Sequence, residues 1–235
     1  MKLFLDSALT DEIRYALDLW DIDGITTNPR HVQASGKPFI QVIQEIGDMV
    51  AGTDKSVSTQ TNPHYHEDYQ AIVEEGRKLS KLSPNFVIKI PSTEHGFKAC
   101  KILKEEGIRS NLTLCFSASQ GLQAMRMGAY YVSPFIAWKE ANGDNTDQFI
   151  QDMIDIRDNY AFETQILVAA IRNGRQIATA AALGADIVTT SFDVYKDAFA
   201  HPFTDLGLNR FQAVSYTHLR AHETKANLVC RLLLE

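Results

Sequence analysis

A lysine lies in the middle of an apolar run, Asn-Phe-Val-Ile-Lys-Ile-Pro at 85–91. Such a β-branched run predicts a buried parallel strand. Burial of an ammonium group disfavours its charged form, and a partly neutral lysine attacks carbonyl carbons. Lys89 is therefore a candidate for Schiff-base chemistry. The alternative interpretation is an edge-strand or snorkelling lysine with no chemical role.

Other runs of strand-forming residues alternate with segments of helical periodicity. Together with the lysine run they predict eight strands, at 2–6, 24–28, 56–61, 86–91, 110–116, 130–136, 165–171 and 186–192. Thr10 is a candidate N-cap for the first helix. Further helices are predicted over 67–82, 118–127, 146–159 and 175–183, and left-handed glycines at helix ends are predicted at Gly107, Gly128 and Gly184. This alternation predicts the α/β class and a (β/α)8 TIM barrel, ahead of an open doubly wound sheet.

In such a barrel the active site lies at the carboxyl ends of the strands. The side chains there are hydroxyls, amides and one carboxylate: Asp6, Thr26, Thr27, Asn28, Gln60, Ser92, Thr93, Asn111, Thr113, Ser133 and residues 189–191. A ring of these groups around Lys89 suits a polyhydroxylated carbonyl substrate, because each substrate hydroxyl needs a hydrogen-bond partner.

Composition limits the classes of partner. The chain has 235 residues, 45% of them hydrophobic, and a net charge of −6 with charges of both signs scattered along it. One domain is expected, with neither nucleic acid nor a membrane surface as partner. The first residues do not form a signal peptide, and no apolar run is long enough to span a bilayer, so a cytoplasmic protein is expected. Cys100, Cys115 and Cys230 have no metal-ligand or pairing spacing, and we expect buried thiols and no metal.

The last residues break the pattern. Residues 214–224 and 228–235 back-translate to sequences that resemble the adapters of short-read sequencing libraries. We therefore expect a barrel domain over 1–213 whose C-terminal helix is truncated and followed by a non-native tail over 214–235.

The motifs at the strand ends resemble the transaldolase and fructose-6-phosphate aldolase family, which comprises class I aldolases on a (β/α) barrel. They are Phe-Leu-Asp at 4–6, Gly-Ile-Thr-Thr-Asn-Pro at 24–29, Val-Ile-Lys-Ile-Pro at 87–91, Asn-Leu-Thr-Leu-Cys-Phe-Ser at 111–117 and Ser-Pro-Phe at 133–135. The match extends from residue 1 to about 211, a length similar to that of the short, aldolase-type subfamily.

The resemblance implies a role for each matching residue. Lys89 would form the Schiff base, Asp6 would move protons at the substrate hydroxyl, and Asn28 and Thr113 would lie beside the imine and its water. It also implies a homo-oligomer without cofactor or metal. Substrate contacts are expected from Thr26, Thr27, Asn111, Ser133 and Phe135. The alternatives are that Asp6 caps a turn and that Asn28 is a turn residue before a proline.

Two proton carriers of the family have changed. Gln60 stands where the longer transaldolases have a catalytic glutamate, and Phe135 stands where the aldolase branch has a tyrosine. Asp6 remains. His64 and His66, in the loop after the third strand, are further candidates because histidine titrates near neutral pH, although histidines in a polar loop are commonly only solvated.

The phosphate-binding positions have changed as well. The resemblance implies an arginine and a serine, shared by other family members, at the positions where this chain has Trp138 and Ala170. Arg175 matches a second arginine of the family. Arg172 and Arg30 are nearby candidates. Loss of a bidentate arginine weakens a phosphate site, so we expect weaker dependence on a substrate phosphate. Trp138 would stack on the substrate or, alternatively, only cover the barrel rim.

The resulting prediction is a Schiff-base aldolase or transaldolase acting on a ketose, ketose phosphate or related hydroxyketone. The alternative is a catalytically weak barrel that binds a sugar or sugar phosphate. An isomerase barrel would require a glutamate or histidine base at a strand end, and the sequence offers none there.

Overall fold

A computed structural model describes residues 1–214 of the chain. Eight strands form one sheet in which each strand is parallel to its neighbours, and β8 pairs with β1 to close a barrel. The closed (β/α)8 barrel is thereby confirmed over the open doubly wound sheet. The strands are β1 (Lys2–Asp6), β2 (Gly24–Thr26), β3 (Ser56–Gln60), β4 (Phe86–Pro91), β5 (Ser110–Cys115), β6 (Tyr131–Pro134), β7 (Gln165–Val168) and β8 (Ile187–Thr190).

Helices follow the strands. They are α1 (Thr10–Leu19), α2 (Pro29–Ala34), α3 (Phe39–Met49), α4 (Tyr69–Ser80), α5 (Glu94–Glu105), α6 (Ala118–Arg126), α7 (Ala137–Ala141), α8 (Thr146–Asn159), α9 (Gly174–Leu183) and α10 (Phe192–Phe199), with a 3₁₀ turn at Pro63–Tyr65. The predicted N-cap at Thr10 is wrong, because Leu9 precedes α1 and makes no side-chain cap. Gly107, Gly128 and Gly184 have φ of 75°, 78° and 96°, which confirms the predicted left-handed positions.

Six strands end earlier than the sequence predicts. β2 ends at Thr26 because Asn28 leaves the ladder to cap α2, and β7 ends at Val168 two residues before Ala170, whose φ is 60°. A positive φ cannot continue a strand. The residues beyond these ends belong to the loops at the barrel mouth, which is where a TIM barrel carries its active site.

The barrel interior has an apolar layer formed by Phe4, Val87, Tyr131, Leu167, Ala169 and Ile187. Gly24 is required beside it, because an added Cβ would lie 2.6 Å from the Phe4 ring and 2.7 Å from the Ser56 carbonyl oxygen. A larger apolar cluster lies between the strands and the surrounding helices. The interior positions nearer the carboxyl ends, such as Lys89 and Asn111, are polar, so the barrel places its polar groups directly above a packed apolar layer.

Met1–Tyr195 form one compact unit that contains the barrel, and a second unit begins at Lys196. The described part of the second unit holds the end of α10 and a helical segment at 202–214. Residues 215–235, which carry nearly all of the proposed tail, and with them Cys230, lie outside the described residues. None of the helices in 1–214 is both long and apolar enough to cross a membrane.

Candidate active site

Lys89 occupies the centre of β4. Its Cα pairs with Gln60 of β3 on one side and with Asn111 of β5 on the other, so the edge-strand interpretation is wrong. The residue is 5% exposed, and its Nζ donates to the backbone oxygen of Thr27 at 3.2 Å. Burial lowers the pKa of the Lys89 ammonium, and the negative charge of Asp6 opposes that shift only in part. Burial therefore shifts the amine towards its neutral, nucleophilic form.

Asp6, at the end of β1, is held by two side chains. Thr26 Oγ1 donates to Oδ1 at 2.8 Å, and His31 Nε2 lies 3.1 Å from Oδ2. Burial by itself raises the pKa of Asp6, but the hydrogen bond with His31, the positive charge of Lys89 and the Thr26 hydroxyl outweigh it, so this pKa is lowered. The residue is thus kept as a carboxylate able to accept a proton, and its contacts are not those of a turn cap.

The hydroxyl of Thr26 also lies 2.7 Å from Thr189 Oγ1 of β8. A chain of polar contacts therefore connects β8, β2 and β1 on the Asp6 side of the barrel. Such a chain fixes the rotamer of the carboxylate before any substrate arrives.

Asn28 begins α2. Its Oδ1 accepts hydrogen bonds from the backbone N–H groups of Arg30 and His31 at 3.0 Å and 3.1 Å, so Asn28 is the N-cap of α2. This structural role is similar to the alternative interpretation of Asn28 as a turn residue before a proline. Pro29, at the first helical position, is pre-organised for the same turn. The Asn-Pro pair therefore fixes the backbone of His31 at the barrel mouth.

A second polar network lies beside Lys89. Asn111 Nδ2 donates to Ser58 Oγ at 3.0 Å, and Ser133 Oγ donates to Asn111 Oδ1 at 2.7 Å. The Thr27 hydroxyl donates to the Ser58 carbonyl oxygen at 2.9 Å. These predicted substrate contacts are thus brought together, but in the free protein they are largely bonded to one another.

Three buried hydroxyls differ from the others. Within residues 1–214, Thr59 Oγ1, Ser92 Oγ and Thr113 Oγ1 are buried without a hydrogen-bond partner. A buried polar atom left unpaired costs about 1–3 kcal/mol. Thr113 faces Pro91 across the β4–β5 pair, two residues beyond the pairing of Lys89 with Asn111. A water or substrate hydroxyl bound there would remove the cost.

β5 is irregular where it reaches the mouth. Its pairing with β6 shifts register between Leu112 and Cys115, and Leu114 has φ of 57°. A bulge of this kind re-aims the residues that follow it. Phe116 comes directly after the bulge and lies at the rim.

The rim carries an aromatic cluster. The Trp138 ring, on α7, stacks on Phe116 with centroids 5.6 Å apart and an interplanar angle of 17°, and Phe135 meets Phe116 edge-on at 5.8 Å. Trp138 is 55% exposed, so one face of this cluster is available to a ligand. Arg30, Arg172 and Arg175 are also exposed, on the loops and helix starts that follow β2 and β7.

The loop histidines contact other groups. His64 lies in the 3₁₀ turn after β3 and His66 follows that turn, and the His66 ring contacts the Pro63 carbonyl oxygen at 3.0 Å and Glu67 at 3.7 Å. The histidine that contacts Asp6 is His31, which sequence reasoning missed. The signal that could have found it is the Asn-Pro cap, because such a cap fixes the direction of the first helical turn.

Comparison with known proteins agrees with this geometry. The family model described as Transaldolase/Fructose-6-phosphate aldolase matches residues 3–235. Proteins named 6-deoxy-6-sulfo-D-fructose transaldolase, from Priestia aryabhattai and Priestia megaterium, are 54% identical over 213 residues, covering 90% of this chain and 94% of theirs. A probable transaldolase from Dictyoglomus turgidum is 45% identical, covering 90% of this chain and 96% of its own. The chain therefore belongs to the transaldolase/fructose-6-phosphate aldolase family and is an enzyme of the class I aldolase and transaldolase type.

Proposed function

We propose that this enzyme is a transaldolase whose ketose donor is 6-deoxy-6-sulfo-D-fructose. The observation that carries the proposal is Trp138, which is exposed at the rim and stacked on Phe116. Trp138 stands at a position where other family members share an arginine. Ala170, in place of a serine, removes a second polar group from the same region. The proteins from Priestia, 54% identical to this chain, carry that donor in their names.

The charge of the donor supports this choice. A phosphate ester carries a charge of about −1.5 to −2 at neutral pH, whereas a sulfonate carries a single negative charge. A site that has exchanged one bidentate arginine for an indole has lost both positive charge and donors. We propose that the remaining cations, Arg175 with Arg172 or Arg30, suffice for a monoanion, and that the Trp138 ring contacts the carbon adjacent to it.

Carbon-carbon cleavage begins at Lys89. The neutral amine attacks the C2 carbonyl of the ketose, and loss of water gives a protonated imine. Asp6 takes the proton of the C4 hydroxyl, the C3–C4 bond breaks, and its electron pair moves into the enamine as the aldehyde leaves. Addition of the enamine to a second aldehyde, followed by hydrolysis, completes the transfer. The lowered pKa of Lys89 and the lowered pKa of Asp6 support these steps, because the first shifts the amine towards its neutral form and the second shifts the carboxyl towards its ionised form.

The unpartnered hydroxyl of Thr113 is suited to hold the water that forms and hydrolyses the imine. Gln60 pairs in register with Lys89, and we propose that its amide hydrogen-bonds this water or a substrate hydroxyl without exchanging a proton. Asn111 and Ser133, bonded to each other, and Thr26 and Thr27 then form the polar wall that the donor hydroxyls face. Asn28 supports this wall through its cap of α2.

The sugar-binding alternative is not favoured. A barrel that only bound sugars would have no need of a lysine whose ammonium is disfavoured by burial, since an uncompensated buried amine costs stability. The family to which the chain belongs consists of enzymes of this type.

The test compares two donors with one acceptor. kcat/KM is measured for 6-deoxy-6-sulfo-D-fructose and for fructose 6-phosphate, each with glyceraldehyde 3-phosphate or erythrose 4-phosphate as acceptor, at one ionic strength. We expect the sulfonate donor to be preferred by about tenfold or more, the effect of one lost charge-assisted contact. An equally steep preference for the phosphate donor would contradict the proposal.

Three further expectations belong to the proposal. We propose that the catalytic domain is 1–213, so a chain ending at Ala213 should keep the same kcat.

A homo-oligomer is supported by the large apolar side chains of Phe203 and Phe211, which are exposed on the 202–214 segment. A cytoplasmic location is supported by Cys100 and Cys115, which are free thiols whose pKa values burial raises to about 11 and about 12.

A further inference from the structure

In the proposed mechanism Asp6 takes the substrate proton, and the two other proton-exchanging side chains known from the family are absent from this chain. Gln60 and Phe135, at the positions of the family's glutamate and tyrosine, cannot exchange protons. Asp6 is left as the base, and a base must be both correctly aimed and ionised at the working pH. The groups that hold Asp6 in place and keep it ionised should therefore affect the rate of carbon-carbon cleavage.

His31 is the histidine that contacts this carboxylate, with Nε2 3.1 Å from Oδ2. An ionised carboxylate only accepts hydrogen bonds, so Nε2 carries a proton and donates it. The imidazole is 30% exposed, which leaves its far side in reach of solvent. Thr26 occupies the other carboxylate oxygen, and the two donors together fix the plane of the carboxylate.

The position of His31 is itself determined by the fold. Asn28 caps α2 through the backbone N–H of His31, and Pro29 fixes the first turn. The side chain of His31 thus reaches Asp6 from a rigid helix start, and it needs no loop closure to do so. Elements of this kind hold a supporting group more accurately than a mobile loop does.

We propose that His31 is the positioning residue of the catalytic base, holding Asp6 aimed and ionised in a site that lacks the family's glutamate and tyrosine. This inference rests on the proposed function, because it assumes that Asp6 takes the C4 hydroxyl proton. In that step the proton moves from the substrate oxygen to Asp6, the C3–C4 bond breaks, and its electron pair enters the enamine. The Nε2 proton of His31 stays on His31 throughout, so His31 neither gains nor loses a proton in the reaction.

Two titratable groups face Asp6 and would contribute to its titration. They are Lys89 from β4 and His31 from α2, while Thr26 of β2 contributes a hydroxyl that Thr189 of β8 supports. Arg30 is adjacent to His31 on α2 and exposed to solvent. Removal of the imidazole alone leaves Lys89 and both hydroxyls, so its effect on Asp6 can be measured separately.

The test uses two replacements of His31. His31→Phe removes the donor, and His31→Gln keeps an N–H donor that never carries charge. We expect kcat to fall about tenfold or more in His31→Phe with little change in KM, a smaller loss than the roughly 100- to 10,000-fold that a positioned acid or base itself contributes. The acid limb of kcat, measured with saturating donor so that Lys89 is already held as the imine, should move to higher pH in the order wild type, His31→Gln, His31→Phe, because Asp6 progressively loses what keeps it ionised.

Ala34→Phe is the matched control, since it places the same ring at an exposed position at the end of α2. It should leave both the acid limb and kcat unchanged. Thermal unfolding of all three variants checks that the barrel is intact. His31→Gln keeps the informative readout if His31→Phe does not fold.

Borohydride trapping of the wild type with dihydroxyacetone tests the proposed function separately from the role of His31. If the wild type forms the Lys89 adduct but the acid limb stays in place in both His31 variants, the inference about His31 is overturned and the proposed function stands. If the wild type forms no adduct, the proposed function fails and the role of His31 fails with it. A graded shift of the acid limb, together with an intact adduct, supports both.

Discussion

The side-chain nitrogen of Lys89 lies 3.2 Å from the backbone oxygen of Thr27, a contact between β4 and the residue after β2. Every strand of the barrel has two neighbours, so this nitrogen cannot escape to a sheet edge. The fold therefore encloses the Lys89 amine among hydroxyls and amides. The amine interacts with one carboxylate, that of Asp6, electrostatically.

The lowered pKa of Lys89 should appear in the stability of the protein. Between this pKa and its ordinary value of 10.5, the unfolded chain binds more protons at this lysine than the folded chain does. The free energy of unfolding should therefore rise with pH through this window, by up to about 1.4 kcal/mol per pH unit. Below the folded-state pKa the contribution of Lys89 should become constant.

Lys89→Met isolates this effect, because it preserves the shape of the side chain and removes its titration. Urea unfolding of both proteins should show Lys89→Met to be more stable at neutral pH, with the difference shrinking as the pH approaches 10.5. Lys101→Met, at an exposed position of α5, is the control and should follow the wild type. A difference that does not vary with pH would contradict a lowered Lys89 pKa.

Asp6→Asn should separate imine formation from bond cleavage. The amide keeps the size of the side chain but cannot accept the C4 hydroxyl proton, so kcat should fall about 100-fold or more. Loss of the Asp6 charge also removes the group that raises the pKa of Lys89, and the adduct should therefore form at lower pH than in the wild type. Asp11→Asn, on the surface of α1, should change neither quantity.

Trp138→Arg should weaken the preference for the sulfonate donor over the phosphate donor. An arginine at the rim adds charge and two donors, and we expect kcat/KM for fructose 6-phosphate relative to the sulfonate donor to rise about tenfold, or about 1.4 kcal/mol. Trp138→Phe, which retains an aromatic ring beside Phe116, is the comparison and should lower both values without reversing the preference. If Trp138→Arg leaves the ratio unchanged, Trp138 only covers the rim.

Much of the fold followed from periodicity. The bounds of β1 and β4 were predictable because apolar alternation and punctuation by proline or aspartate both mark their ends. The carboxyl ends of six other strands were not, since residues there leave the ladder for reasons of loop geometry. Leu114 is an example: a leucine with φ of 57° gives no sign in the sequence that β5 contains a bulge.

The site divides in the same way. Lys89 could be predicted because a charged residue in an apolar strand is conspicuous, and Asp6 because it ends one. His31 could not, because its contact with Asp6 depends on how the short helix α2 crosses the barrel mouth. The stack of Trp138 on Phe116 was likewise hidden, since it joins the five-residue helix α7 to a residue that follows a bulge. Contacts between loops are long-range, and local patterns do not encode them.

The most direct test of the account is chemical trapping at Lys89. The protein is incubated with dihydroxyacetone or a ketose donor, reduced with borohydride and digested, and the modified peptide is sequenced by mass spectrometry. The account predicts a reduced three-carbon adduct on Lys89, absent from Lys89→Met and present in Lys101→Met. An adduct on another lysine, or turnover without any adduct at Lys89, would contradict it.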